Sequence, residues 1–82
     1  MSKYTDLTEW LREQTEDSVA LTFAEVEKII GKHLPLRARK YFRWWDNTRG
    51  TMADYAIFNA GFKTVMVDME NEKVKFQRIQ EV

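Results

Sequence analysis

Apolar residues recur with a helical period at the start of the chain. Tyr4, Leu7 and Leu11 fall at i, i+3 and i+7 with Trp10 beside them, while Glu9, Arg12, Glu13 and Glu16 hold the other side. That spacing predicts a helix over residues 4–15. The segment EDSVAL breaks the period, and Val19 and Leu21 alternate as a short strand does. In TFAEVEKIIG, Thr22 and Glu25 have the spacing of a capping box, and Phe23, Val26, Ile29 and Ile30 make one apolar face. Gly31 is placed to end that helix, because glycine enters the left-handed conformation at low cost. A helix over residues 23–30 follows.

The next stretch, KHLPLRARKYFRWWDN, sorts best as a helix from about residue 35 to residue 46. Pro35 suits a first turn, where its missing N–H costs nothing. At roughly 100° per residue, Ala38, Tyr41, Phe42 and Trp45 share one arc, and Arg37, Arg39, Lys40 and Arg43 occupy the other with Trp44 among them. NTRGT reads as a turn. MADYAIFNAG reads as a further helix, with Ala53, Ala56 and Ala60 on one side and Gly61 as terminator. FKTVMVD, MENE and KVKFQRI read as strand, turn and returning strand, with Val65, Val67, Val74 and Phe76 facing the core. The expected fold class is α+β: three to four short helices and a small antiparallel sheet that ends in a C-terminal hairpin. Less one helix, this order is that of a winged helix, with residues 22–45 as its helix-turn-helix and the hairpin as its wing.

Eighty-two residues make one domain, spanning 1–82. A chain of this size buries roughly 60–65% of its unfolded surface, enough for a single core. Cysteine is absent and His33 is the one histidine, which excludes disulfides and thiol catalysis and disfavours zinc. Ser2 and Ser18 have no histidine–carboxylate arrangement near them in sequence. Asp68, Glu70 and Glu72 fall around the hairpin turn and read as a solvated turn, not a metal site. No enzyme and no cofactor are expected. Residues 1–10 carry no apolar run behind Lys3, and no segment approaches the roughly 20 apolar residues of a bilayer span. A cytoplasmic protein without membrane contact is the expectation.

Charge changes the picture. The 13 basic and 13 acidic residues cancel overall but are segregated along the chain. Residues 1–31 hold seven acids and three bases, residues 32–49 hold six bases and one acid, and residues 50–82 hold five acids and four bases. Phosphate attracts clustered Arg and Lys because neutralising it releases counterions, and an exposed aromatic ring stacks on an unpaired base. The nucleic-acid candidates are therefore Arg37, Arg39, Lys40, Arg43, Trp44, Asn47 and Arg49, with Lys73, Lys75 and Arg78 on the hairpin. The set also has blander readings: Asn47 closes a turn, Tyr41, Phe42 and Trp44 are core together with Trp45, and the arginines cap carboxylates on the acidic helices. Trp45 is read as core, and His33 as a surface residue.

The pattern also resembles a family of small prokaryotic and phage domains. Its marks are Leu21, Thr22, Phe23, Glu25, Glu27, Gly31, Leu34, Pro35 and Ala38, then Trp44, Trp45 and Asn47, then Ala60, Gly61, Phe62, Val74, Phe76 and Arg78. Arg37 stands where a small residue is usual, which strengthens the basic segment. The resemblance implies a compact, often freestanding domain and carries no activity with it. Two functions follow as expectations. The first is a nucleic-acid-binding domain, duplex DNA foremost, that uses the helix around residues 35–46. The second is a phage or mobile-element protein that inhibits a host protein, such as a defence nuclease, through Glu9, Glu13, Glu16 and Asp17.

Overall fold

The computed structural model describes residues 4–45 and 52–79. Four α-helices and three strands follow in the order α1 (Thr5–Arg12), β1 (Ser18–Thr22), α2 (Phe23–Ile30), α3 (Leu36–Lys40), α4 (Met52–Asn59), β2 (Phe62–Asp68) and β3 (Lys73–Arg78). A 3-10 turn, Phe42–Trp44, follows α3. The strands form one antiparallel sheet in the order β1-β3-β2. The fold is α+β, as the patterning predicts.

The sheet buries one face. Val19 and Leu21 of β1 pair with Phe76 and Val74 of β3, and all four are buried. Phe62 and Val67 of β2 extend the same face, opposite Arg78 and Val74. Val65 does not: it is 43% exposed, against the expectation. The register shifts between Thr64 and Met66, so the strand carries an extra residue there and its alternation restarts one position later. Val67 thus keeps its inward place while Val65 loses it.

Helices α1 and α2 pack together, and α4 lies against α1 and β2. Thr8 joins α1 to α4 directly, its Oγ1 donating to the Ala56 carbonyl at 2.8 Å. Helix α2 starts as its sequence requires. Glu25 N–H donates to Thr22 Oγ1 at 3.1 Å, and Thr22 N–H donates to Glu25 Oε1 at 2.9 Å. Gly31 ends it at φ +74°, the left-handed region that glycine enters without strain.

The helix expected over residues 35–46 is the main correction. It ends at Lys40, where Tyr41 turns extended at φ −124°, ψ 120°, and the 3-10 turn follows. Trp45 explains the break. Its ring is fully buried and stacked on Phe23 at 5.0 Å, and its Nε1–H donates to the Ala38 carbonyl at 2.8 Å. In an unbroken helix, residues 38 and 45 lie about 10.5 Å apart along the axis, beyond reach of that bond. Folding back at Tyr41 closes the gap. The cost is that Tyr41 and Phe42, expected on the buried arc, are 61% and 55% exposed.

Candidate nucleic-acid interface

The ten candidate residues divide into five groups. Arg37, Lys40 and Arg43 are exposed and make no ion pair among the described residues. They sit on or just beyond α3, whose short length comes from the break at Tyr41. Tyr41 and Phe42 stand exposed between Lys40 and Arg43. This is the densest set of unpaired cations and exposed aromatic rings on one described segment.

Arg39 belongs to the interior scaffold. Its guanidinium donates to Glu27 Oε1 at 2.7 Å and to a carboxylate oxygen of Glu72, and it lies 6.0 Å from the Phe23 ring centre. It therefore ties α2, α3 and the β2–β3 turn together. Glu27 also accepts the Leu34 N–H at 2.7 Å, and exposed His33 lies 3.6 Å from it. Burial alone would raise the Glu27 pKa. The Leu34 hydrogen bond, the Arg39 hydrogen bond and charge, and His33 outweigh it and hold the carboxyl below its ordinary value. The bonds to Glu27 and Glu72 push the Arg39 pKa up, the Glu27 hydrogen bond first among them.

Arg78 is engaged in the same manner at the far end of β3. It donates to Asp17 Oδ1 at 3.1 Å and to the carbonyls of Gln14 at 2.8 Å and Glu16 at 3.3 Å, over the Phe62 ring at 4.8 Å. Five residues separate it from Lys73, about 16 Å along a strand, so it stands apart from the α3 group. Trp44 is half-buried, edge-on to Trp45 at 4.7 Å and to Tyr4 at 5.8 Å. It supports the core, and Tyr41 replaces it as the exposed ring.

Lys73 and Lys75 lie on the solvent face of the sheet. Lys73 pairs across the strands with Thr22 and Asp68, and Lys75 with Ala20 and Met66. The Asp68 carboxyl accepts the side-chain and backbone N–H groups of Asn71, which lower its pKa, and the Lys73 charge adds to the effect. The Arg39–Glu72 bond ties α3 to the turn that precedes Lys73. Asn47 and Arg49 lie outside the described residues.

The exposure of Tyr41 and Phe42 is not visible in the sequence pattern. The blander reading, in which arginines cap carboxylates on the acidic helices, describes Arg39 with Glu27 on α2, while its second partner, Glu72 in the hairpin turn, lies outside that reading. Among the described residues no group of histidine and acidic side chains is arranged to hold a metal ion, and no helix is long and apolar enough to cross a membrane.

The chain belongs to a family described as a domain of unknown function (DUF7662), which matches residues 4–79. No curated protein and no solved structure matches it.

Proposed function

We propose that this chain is a non-enzymatic, cytoplasmic nucleic-acid-binding domain that holds phosphates with Arg37, Lys40 and Arg43. One observation carries the reading. Three exposed cations without ion-pair partners among the described residues sit on one short segment, with an exposed ring between them. Lys73 and Lys75 would add phosphate contacts from the hairpin. Arg39 and Arg78 are spent on carboxylates and support the surface from within. A five-residue α3 is too short to lie along a major groove, so phosphate contact dominates, and Tyr41 offers its face to an unpaired base.

Fluorescence anisotropy with labelled random duplex and single-stranded DNA tests this. Three phosphate contacts give a log–log salt slope of about −2 to −3. The triple variant R37E/K40E/R43E should bind at least about tenfold more weakly. Tyr41→Ala should weaken the single strand more than the duplex. Affinity that ignores salt, or survives the triple variant, ends the reading.

A second reading rests on Glu9, Glu13 and Glu16, which are exposed and have no ion-pair partner among the described residues. They would meet a basic host protein, the inhibitor role. Asp17 is already bonded to Arg78. Reversing Glu9 and Glu13 should abolish that contact and leave DNA binding intact.

A further inference from the structure

Strand β2 has a free edge: β3 pairs with its other side, and no described strand covers this one. Edges of this kind are usually blunted by charge, proline or a covering segment. The middle of β2 is not charged. Val65 and Met66, 43% and 47% exposed, lie there between Lys63 and Asp68. Phe42 lines an open cleft with residues 64–67 of this strand.

We propose that a second copy of this chain pairs with that edge, β2 against β2, antiparallel about a two-fold axis. The sequence of β2 is self-complementary in one register. Centred between Val65 and Met66, the pairing sets Lys63 opposite Asp68 of the second copy, and Asp68 opposite Lys63. Val65 then meets Met66 on both sides of the axis. A shift of two residues either way sets Lys63 opposite Met66, or Val65 opposite Asp68, and loses the match.

Cross-strand partners must also share a face of the sheet, and the bulge makes that possible. Five positions separate Lys63 from Asp68, which in a regular strand would put them on opposite faces. Here Lys63 pairs with Gln77 and Asp68 with Lys73, and those two partners lie four residues apart on one strand. Both charges therefore stand on the solvent face. The extra residue between Thr64 and Met66 restores the phase. Val65 and Met66 are exposed together for the same reason. The seam is thus apolar at its centre and oppositely charged at both ends, the arrangement an isologous interface requires. It joins the two sheets into one of six strands in the order β1-β3-β2-β2-β3-β1.

Sedimentation velocity from about 1 µM to about 500 µM reads the result. The expected outcome is a concentration-dependent dimer. Lys63→Asp, which sets like charges opposite each other, should weaken self-association at least about tenfold. Met66→Lys should do the same at the centre of the seam. Lys28→Glu, at an exposed position of α2, should leave the dimer unchanged. Far-UV circular dichroism keeps loss of pairing distinct from loss of fold, since Lys63 and Met66 are exposed in the single chain. A chain that stays monomeric throughout overturns the proposal. So does a dimer that survives both β2 substitutions, or a monomer that binds an unrelated extended apolar peptide instead.

Discussion

Arg39 and Glu27 show how single residues decide what this surface offers. Both charges are part of the basic and acidic blocks of the chain, yet they meet in a half-buried ion pair and cancel. Glu27 gains more from its partners than it loses by burial, so its folded pKa lies below the ordinary value of 4.5. A depressed carboxylate pKa contributes stability that is present above the unfolded value and is lost as pH falls through the folded one. Thermal melts of the native chain and of Glu27→Gln should therefore differ most near neutral pH. The gap should narrow as pH drops below the ordinary carboxylate range. A gap that stays constant down to about pH 2 would show that the carboxylate charge does not carry the effect. The exposed cations follow the opposite logic. Arg37, Lys40 and Arg43 meet no described carboxylate, and their charge faces water.

At the scale of elements, the local signals that lie wholly within one segment were legible. The capping box at Thr22 and Glu25, the stop at Gly31 and the strand phases of β1 and β3 all follow from neighbours in sequence. What was not legible depends on distant partners. The helical arc of residues 38, 41, 42 and 45 is a sound pattern, but it cannot report that Trp45 finds Phe23 and the Ala38 carbonyl by breaking the helix at Tyr41. Nor does the alternation in β2 reveal the bulge that turns Val65 outward. The candidate site shifted for the same reason: Arg39 and Arg78 left it for carboxylates of this chain, and Tyr41 entered it. Trp45 is the residue on which this geometry depends. Trp45→Phe keeps a ring against Phe23 but removes the indole donor, at a cost of about 1–2 kcal/mol. Trp45→Ala also opens a cavity and should cost about 3–5 kcal/mol. Urea unfolding of the two variants checks the difference. A Trp45→Phe variant as stable as the native chain would mean that the hydrogen bond to Ala38 adds nothing, and equal losses in the two variants would mean that the ring against Phe23 adds nothing.

Across the whole molecule, one apolar cluster unites the layers. It takes Leu7 and Leu11 from α1, Val26 from α2, Ala38 from α3, Ile57 from α4, and Val19, Phe62, Val74 and Phe76 from the three strands. Trp45 sits within it, next to Phe23. Polar ties cross the same boundaries: Thr8 to α4, Arg39 to the hairpin turn, and Arg78 to the loop after α1. No layer among the described residues has a core of its own to retain once the others are lost. Small domains built this way unfold in a single step. Tryptophan fluorescence, which reports Trp10 on α1 together with the Trp44–Trp45 pair, and far-UV circular dichroism, which reports all helices and strands, should therefore trace one urea transition with a common midpoint. Arg39→Met should move both midpoints together, because the residue it removes braces α2, α3 and the hairpin turn at once. Separate transitions by the two probes would mean that the helices stand without the sheet, and the tryptophan pair would then not be the junction at which the molecule is held together.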